Sequence, residues 1–372
     1  MKKNKILIDK SVFLGKKIFS KIEENDVIVK KNVSNVDLSK IHTLITKSNF
    51  RIDKNLIRNS KIKFIGSATS GVDHVDIDFL KKKNIFFASA TGSNSKSVVE
   101  YVFTSLLYLS EKHNFFLKDK VVGILGVGNI GLSLRNKLRD FGIQTMIFDP
   151  LNKKIKKFDD CFPFEKIISD SDIITLHTPL TYTKDYPTYH MIDKYVLDSI
   201  KENSILINTS RGSVVDNFSL LKILKNKKKM FVVLDVWENE PNISCDLLNF
   251  VEIGTPHIAG HSLEGKLSGT INIFKKYSNF IKKKVFFRFK KNLPKFWINK
   301  IEINKKFDQK LFYNLSKLFF NINEYNMKLN NKNFIKLRNS HIRREWSSLS
   351  IRVYDCFTKK TLVKLGFKCR NN

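Results

Sequence analysis

Residues 121–150 read VVGILGVGNIGLSLRNKLRDFGIQTMIFDP, and their pattern predicts the fold of the middle of the chain. An apolar run typical of a strand leads into Gly126, Gly128 and Gly131, which have the spacing G-x-G-x-x-G. An amphipathic helix follows, and a second apolar run ends in Asp149. Glycines at this spacing are a weak signal by themselves. The strand before them, the helix after them and the acidic residue about 20 positions later predict a dinucleotide-binding unit.

Each residue of this motif has a physical task in binding a dinucleotide. Gly126 permits the tight turn, Gly128 lets the backbone approach a pyrophosphate, and Gly131 lets the helix pack close to the strand. The free N–H groups at the start of the helix attract the phosphates. Asp149 can accept hydrogen bonds from both ribose hydroxyls and would repel a 2′-phosphate, which favours NAD over NADP, although two lysines follow it closely. A glycine-rich turn that binds no nucleotide is the alternative.

Apolar runs separated by helical stretches continue on both sides of the motif. These runs are typical of buried parallel strands because they are nearly continuous in Val, Ile and Leu. They lie at residues 5–9, 43–46, 63–68, 120–126, 144–149, 172–177, 204–210, 231–237 and 251–255. Helices are predicted at 11–24 and 97–110. The alternation predicts the α/β class, with two Rossmann-like doubly wound parallel-sheet domains.

The C-terminal part of the chain has a different texture. Residues 285–372 are dense in Lys, Asn and Phe, and the stretch 285–340 lacks clear alternation. A strand at 348–354 and a helix at 357–365 close the segment. We therefore predict a small separate α+β module here. A disordered tail is the alternative, and the many aromatic residues argue against it.

The formal net charge of +32 over 372 residues raises nucleic acid as a possible partner. The lysines, however, are spread from end to end, whereas a nucleic-acid-binding protein usually concentrates its charge in one stripe. No base-reading or stacking motif is present either. We interpret the charge as lysine on solvated faces, and a basic nucleic-acid-binding protein stays as an alternative.

Cysteine spacing and hydropathy indicate the cellular compartment of the protein. The four cysteines have neither metal-finger nor CxxC spacing, which is typical of a reduced cytosolic protein; they are Cys161, Cys245, Cys356 and Cys369. The apolar run near the N-terminus is too short for a signal peptide. The longest apolar helix, 97–110, is too short to cross a bilayer and carries Glu100. We expect a cytoplasmic protein that does not bind membranes.

Polar residues follow the later apolar runs, at the edge where an open α/β sheet binds its ligands. They are His177, Thr178, Arg211, Asp235, Glu240 and His257. Hydride transfer between a secondary alcohol and a nicotinamide needs a group that exchanges the hydroxyl proton, and histidine does this near neutral pH. A carboxylate can fix the histidine tautomer, and an arginine can hold a substrate carboxylate. These residues predict an NAD-dependent alcohol or hydroxy-acid dehydrogenase, and a non-catalytic NAD sensor on the same fold is the alternative.

The stretch TPHIAGHSLEGK, residues 255–266, raises the question of a metal site. His257 and His261 are four positions apart, and Glu264 follows. Pro256 and Gly260 argue against one regular helix through both histidines. Because His257 has a proton-transfer role that needs no ion, we expect no metal.

At these residues the chain resembles the family of D-isomer-specific 2-hydroxyacid dehydrogenases. The likeness rests on GSATSGVDHVD, VVEYVFTSLL, GVGNIG, HTPL, INTSRGSVVDN, VLDVWENEP and HIAGHSLEGK. It implies Arg211 as the group that binds the substrate carboxylate and carbonyl, Glu240 as the carboxylate partner and His257 as the proton-transfer residue. NAD contacts are implied at Asp149, Thr178, Thr209, Ser210, Arg211, Asp235 and Gly260.

The resemblance also implies substrate contacts at Ser48 and Thr69. The chain departs from the family pattern at His261, where relatives usually carry a tyrosine that contacts substrate. The implied domains are a first part of the substrate domain, an NAD-binding Rossmann domain, a return segment and a C-terminal dimerisation module, at residues 1–97, 98–257, 258–284 and 285–372.

The C-terminal motifs RREWSSL and KLGF are absent from most of the family and point to one branch of it. The resemblance to that branch implies a homodimer formed through the module and the oxidation of 4-phospho-D-erythronate at C2 in pyridoxal 5′-phosphate synthesis. A different 2-hydroxy acid, such as 3-phosphoglycerate, is the alternative substrate. We further hypothesise that Arg343 and Arg344 of the partner subunit help to hold the substrate phosphate, because a guanidinium suits it.

Overall fold

A computed structural model describes most of the chain. The described residues are 4–33, 35–183, 185–226, 228–285, 293–326, 328–330 and 332–370. The chain forms two compact units. Unit 1 comprises Met1–Asn94 and Ser262–Lys295, and unit 2 comprises Ser95–His261 and Phe296–Asn372.

Strands and helices alternate along most of the described chain. The strands are β1 (Asn4–Asp9), β2 (Asn25–Lys30), β3 (Thr43–Thr46), β4 (Phe64–Ser67), β5 (Phe86–Ser89), β6 (Val121–Leu125), β7 (Gln144–Phe148), β8 (Ile173–Leu176), β9 (Ser204–Asn208), β10 (Met230–Leu234), β11 (Ile253–Gly254), β12 (Glu302–Ile303), β13 (Ser350–Val353) and β14 (Lys368–Arg370). The helices are α1 (Gly15–Phe19), α2 (Lys54–Ile57), α3 (Ile77–Lys82), α4 (Ser95–His113), α5 (Asn129–Phe141), α6 (Phe164–Asp170), α7 (Lys194–Ser199), α8 (Asn217–Lys225), α9 (Cys245–Leu248), α10 (Leu263–Phe280), α11 (Gln309–Phe319), α12 (Asn323–Asn326), α13 (Phe334–Ser340) and α14 (Cys356–Leu365).

Unit 1 is built on a five-stranded sheet with the order β2-β1-β3-β4-β5, and all its pairs are parallel. Successive residues of a strand point to opposite faces. Ile6 and Ile8 accordingly join the core beneath α1 and α10, whereas Leu7 joins the core on the opposite face. Helix α10 therefore returns the chain to the first sheet after most of unit 2 has been formed.

Unit 2 contains a six-stranded parallel sheet with the order β7-β6-β8-β9-β10-β11. A parallel bridge between Ile147 and Cys161 adds a rudimentary strand beyond β7. The chain thus leaves β6 towards one edge and then crosses to β8 on the other side. The carboxyl ends of β6 and β8 form the switch point at which doubly wound sheets bind ligands.

Helices cover both faces of the second sheet. Ile124, Ile205 and Val233 face the core that α4 and α5 share, whereas Leu176 and Leu206 face the core beneath α6, α7 and α8. The prediction of the α/β class with two parallel sheets is confirmed. Each of the six strands predicted between residues 120 and 255 is present.

The C-terminal segment packs onto unit 2. Helix α11 lies against α4, and α14 lies against α5. Strands β12, β13 and β14 form a third, small parallel sheet in the order β12-β13-β14. The structure therefore groups residues 296–372 with unit 2, whereas the sequence predicts a separate module that begins at 285. The role of this segment as a dimerisation domain stays a prediction.

The hypothesis about Arg343 and Arg344 in a partner's phosphate site is wrong for Arg343. Its side chain is only 2% exposed and donates to two carbonyls of its own unit, those of Ser97 and Ala259. Arg344 is 6% exposed, and its guanidinium lies 5.7 Å from the ring centroid of Phe296. Both side chains therefore make contacts within unit 2, the unit to which they belong.

Two elements of unit 1 differ from their sequence prediction. The helix predicted at 11–24 is only α1, and the strand β2 follows it. Asn25 explains the early end, because its Nδ2 donates to the carbonyl of Phe19 at 2.8 Å and its Oδ1 accepts from the Tyr277 hydroxyl at 2.8 Å. Strands β2 and β5 were not predicted; both are edge strands of the first sheet, and most of their residues are only partly buried or exposed. Within the described ranges, no helix has the length and apolar character that a membrane crossing requires.

Trp346 is expected to be a main contributor to the stability of unit 2. It is 1% exposed and stacks on Phe367 with a centroid distance of 4.8 Å and an edge contact to Phe312 at 5.3 Å. Replacing Trp346 with alanine should lower the free energy of unfolding by about 3–5 kcal/mol, because it leaves a large cavity. Phe116→Ala is the control, since that ring is 68% exposed, and it should cost under about 1 kcal/mol. Chemical denaturation measures both; equal losses would contradict the prediction.

Candidate active site

The glycine turn connects β6 to α5 in the geometry that a pyrophosphate needs. Gly126 has a φ of +91°, and a Cβ there would lie 2.7 Å from the backbone carbonyl of His177. A Cβ on Gly131 would lie 2.0 Å from the Gly126 oxygen, so the helix packs directly on the turn. At Gly128 a Cβ would meet nothing within 4 Å. The turn is therefore tightly packed at Gly126 and Gly131 and open at Gly128, the residue just before α5.

Asp149 lies just after β7 and is tied to the same turn. Its Oδ2 accepts from the backbone N–H of Val127 at 2.9 Å, and its Oδ1 accepts from the N–H of Asn152 at 3.1 Å. Nδ2 of Asn152 donates to the Val127 carbonyl at 3.0 Å. A carboxylate has about four acceptor positions, so two remain for ribose hydroxyls. The contact with Val127, which links the acid to the turn, was not apparent from the sequence.

His177 and Thr178 follow β8 on the other side of the switch point. The His177 Nε2 lies 3.0 Å from the Thr175 hydroxyl, and its Nδ1 lies 3.4 Å from the Thr209 hydroxyl. Burial lowers the pKa of His177 from 6.5 to about 3, which keeps the ring neutral at physiological pH. A neutral ring held by two hydroxyls suits a structural role. The hydroxyl of Thr178 is buried and has no hydrogen-bond partner among the described residues.

These features fit a bound NAD. The open space at Gly128 admits a phosphate, the carboxylate of Asp149 has acceptor positions left, and the buried hydroxyl of Thr178 needs a partner that a ligand could supply. All three lie around the carboxyl ends of β6, β7 and β8. The residues that would hold the cofactor are therefore brought together by one edge of the sheet.

The loop after β9 presents Arg211. Asn208 shapes this loop: its Nδ2 donates to the Arg211 carbonyl at 2.8 Å, and its Oδ1 accepts from both the N–H and the hydroxyl of Ser210. Nη1 of Arg211 donates to the carbonyl of Ser210 at 2.8 Å. A Cβ on Gly212 would lie 1.9 Å from the carbonyl oxygen of Trp237, so the loops after β9 and β10 touch. The glycine is required for that approach.

His257 and Glu240 form a direct pair. Nδ1 of His257 and Oε2 of Glu240 are 2.7 Å apart, and Oε1 of Glu240 accepts from the backbone N–H of Trp237 at 2.9 Å. Burial favours a higher pKa for Glu240, but the charge and the hydrogen bond of His257 outweigh it and hold the pKa below the ordinary value. Glu240 is therefore ionised at neutral pH. Nε2 of His257 makes no hydrogen bond among the described residues, so this nitrogen is available to a ligand.

Asp235 holds the loop that carries His257. It is 1% exposed; its Oδ1 accepts from the Thr255 hydroxyl and the Ile258 N–H, both at 2.7 Å, and its Oδ2 accepts from the Ala259 N–H at 2.9 Å. Burial raises its pKa, against the opposing charge of His257 and these hydrogen bonds. The sequence predicts Asp235 as an NAD contact, and its task as an anchor of the loop was missed. No local pattern signals it, because the partners lie 20 to 24 residues away along the chain.

The remaining predicted positions are divided between the units. Gly260 and His261 follow the loop in unit 2, where the His261 N–H donates to the Ile258 carbonyl at 2.8 Å. Ser48 and Thr69 belong to unit 1 and follow the carboxyl ends of the adjacent strands β3 and β4. Their substrate contacts stay predictions.

A cluster of possible metal ligands lies elsewhere in unit 2. His190, Asp216 and Glu238 form the one such group within the described ranges, with ligand atoms that lie within 4.8 Å of one another. Nε2 of His190 is 2.6 Å from Oε1 of Glu238, and Asp216 accepts from two backbone N–H groups at the start of α8. Protein hydrogen bonds thus account for the cluster. His257 and His261 are not part of it.

Comparison with known proteins assigns the class. Residues 108–259 match the model of the D-isomer specific 2-hydroxyacid dehydrogenase, NAD binding domain. Together with relatives that are 47% and 42% identical over 98% of the chain, this match shows that the chain belongs to the D-isomer-specific 2-hydroxyacid dehydrogenases. The prediction of NAD as the cofactor is confirmed by the domain that matches.

Two relatives define the branch more closely. The erythronate-4-phosphate dehydrogenase of Wigglesworthia glossinidia brevipalpis is 47% identical over 98% of each chain. That of Baumannia cicadellinicola subsp. Homalodisca coagulata is 42% identical over 98% of this chain and 99% of its own. Among solved structures, the NAD⁺-bound 3-phosphoglycerate dehydrogenase of Entamoeba histolytica is 21% identical, with a TM-score of 0.64 over 75% of this chain and 96% of that chain. A likeness at this identity concerns the fold alone.

Substitutions at two glycines of the turn should separate an effect on NAD binding from an effect on stability. Gly128→Ala should leave thermal stability nearly unchanged, because the added Cβ meets nothing, yet raise the Kd for NAD at least about tenfold by blocking the phosphate. Gly131→Ala is the matched contrast and should destabilise the chain by about 1–3 kcal/mol, because its Cβ would overlap the Gly126 oxygen. Thermal denaturation and calorimetric titration with NAD measure the two effects. An unchanged Kd in Gly128→Ala would contradict the predicted site.

Proposed function

We propose that this chain oxidises 4-phospho-D-erythronate at C2 to (R)-3-hydroxy-2-oxo-4-phosphooxybutanoate with NAD, a step in pyridoxal 5′-phosphate synthesis. The proposed substrate is supported by the 47% identity, over 98% of both chains, with a relative named for this activity. The reaction class rests on the pair His257–Glu240 with Arg211 on the adjoining loop.

Each residue of the proposed site has a defined task. Nε2 of His257 takes the proton from the C2 hydroxyl as the alcohol becomes a ketone. Glu240 accepts from Nδ1–H, which fixes the tautomer and stabilises the imidazolium that forms. Arg211 holds the substrate carboxylate with two parallel hydrogen bonds and polarises the developing carbonyl. NAD, when bound, supplies the acceptor for the hydride that leaves C2.

Substrate contacts at Ser48, Thr69 and His261 are part of the proposal. Support comes from the position of Ser48 and Thr69 after neighbouring strands, the edge where parallel sheets bind ligands. The hydroxyl of Thr69 lies 2.8 Å from the hydroxyl of Ser67, which orients it. At His261 the imidazole replaces the tyrosine expected from the family, so the hydrogen-bonding group there is smaller.

A homodimer formed through the C-terminal segment is also proposed. The segment exposes several large apolar side chains, which a partner subunit could cover. They are Trp297, Leu318, Ile335, Ile342, Tyr354, Phe357 and Val363. A cytoplasmic location completes the proposal, and the four cysteines, none of which is in a disulfide, support a reducing compartment.

The substrate is tested by following NADH formation with 4-phospho-D-erythronate, 3-phosphoglycerate and D-lactate. We expect the highest kcat/KM with 4-phospho-D-erythronate. A higher value with 3-phosphoglycerate would favour the alternative substrate. NAD binding without NADH formation from any 2-hydroxy acid would favour the sensor.

The same assay compares the proposed catalytic pair, His257 and Glu240, with a second histidine–glutamate pair that has no proposed role in catalysis. His257→Asn should lower kcat by about 10²–10⁴, because the group that takes the proton is lost. His113→Asn is the matched control: His113 also pairs with a glutamate, Glu252, at 3.0 Å, but lies at the end of α4. Its kcat should stay within about twofold of the wild type. Activity that survives His257→Asn would overturn the assignment.

The dimer is tested by analytical ultracentrifugation. We expect twice the chain mass of 43.3 kDa, and a single chain mass after Ile342→Asp with Phe357→Asp, because charges in an apolar interface disfavour association. Phe218→Asp is the control, since Phe218 is 65% exposed but lies on α8, outside the C-terminal segment. A wild-type monomer, or a dimer that survives the double change, would refute this interface.

A further inference from the structure

Arg343 of the C-terminal segment is buried against helix α4 and the loop that carries His257. Its side chain is 2% exposed. Nη2 donates to the carbonyl of Ser97 in the first turn of α4, at 2.6 Å, and to the carbonyl of Ala259, at 2.8 Å. Ala259 is two residues after His257. One guanidinium therefore joins the C-terminal segment, α4 and the histidine loop.

The loop is held from two directions. The N–H of Ala259 donates to Asp235 at 2.9 Å, and its carbonyl accepts from Arg343 at 2.8 Å. A buried anion and a buried cation thus hold the two peptide groups that flank this one residue. Because Ile258 and Ala259 are both fully buried, solvent cannot replace either partner.

The backbone of His257 needs such support. It has a φ of +56°, in the left-handed region that a residue with a side chain seldom occupies. Backbone strain of this kind persists only where the surroundings hold it. The Nδ1 contact with Glu240 at 2.7 Å depends on this conformation, since the loop sets the direction of the ring.

The hydrogen bonds of Arg343 indicate what the residue is for. Nε and Nη1 have no partner among the described residues, so every hydrogen bond of the side chain goes to the carbonyls of Ser97 and Ala259. Burial lowers the pKa of Arg343, and the charges of Glu100, Glu345 and Asp235 oppose this. Burying an incompletely bonded guanidinium is costly, and an apolar side chain would fill the space at a lower cost. The contact with the loop offers a reason for its presence.

We propose that Arg343 is a positioning residue that holds the loop 255–259, and through it His257, in the geometry required for proton transfer. The C-terminal segment thereby acts on the chemistry as well as on assembly. The inference rests on the dehydrogenase function proposed above.

The variants Arg343→Met and Arg343→Lys test the proposal. Arg343→Met should lower kcat at least about tenfold and leave the KM for NAD within about threefold, because misplacement of a catalytic group affects the transition state most. Arg343→Lys keeps the charge and can form part of the contact, so its kcat should be intermediate. Lys96→Met is the matched control, since Lys96 pairs with Glu345 of the same segment at 3.6 Å without touching the loop. Its kcat should stay within about twofold of the wild type.

Amide hydrogen exchange provides a readout that needs no substrate. In Arg343→Met the amides of residues 257–261 should exchange at least about tenfold faster, whereas those of β6 should be unchanged. If the wild-type chain does not oxidise 4-phospho-D-erythronate but Arg343→Met still speeds exchange only in the loop, the proposed function is wrong and the contact of Arg343 with the loop is supported. Variants of Arg343 with the kcat and exchange of the control, or exchange that rises equally throughout unit 2, would overturn the inference. If Arg343→Met does not fold, Arg343→Lys decides by the same criteria.

Discussion

The buried carboxylate of Asp235 is the interaction on which the geometry of the site depends. Asp235 directly follows β10, and its carboxylate accepts three hydrogen bonds from the loop after β11. The donors are Thr255, Ile258 and Ala259. A buried anion is tolerated only when its hydrogen bonds are satisfied. The loop must therefore keep one conformation as long as the carboxylate is ionised, and that conformation presents His257.

The order of strands in the sheet then assembles the rest. Because β9, β10 and β11 are neighbours, the loops that carry Arg211, Glu240 and His257 leave the sheet side by side. Gly212 lets the first two loops touch, and the contact between Nδ1 of His257 and Glu240 joins the last two. Further along the strand order, the switch point between β6 and β8 places the glycine turn where a dinucleotide binds.

Much of this organisation could be predicted from the sequence, because it depends on local patterns. The central strands of unit 2 are buried on both faces and therefore appear as apolar runs, and the glycine turn has a fixed spacing. The edge strands β2 and β5 escaped prediction because they are only partly buried. The stretch 285–340 lacked periodicity, and its helix α11 is defined by packing on α4. At the site, the residue types were apparent, and both Asp235 and Arg343 were named, but the hydrogen bonds through which they hold the loop of His257 were not.

The sequence by itself determined the class of fold, the cofactor motif and the residues suited to hydride and proton exchange, since each depends on composition and spacing along the chain. The tertiary structure alone decided which polar groups meet. Arg343 and Ala259 are 84 positions apart, and Asp235 and Ala259 are 24 apart. Hydrogen bonds between such residues arise only when strand order and helix packing bring them within 3 Å of each other, and no pattern along the chain records that distance.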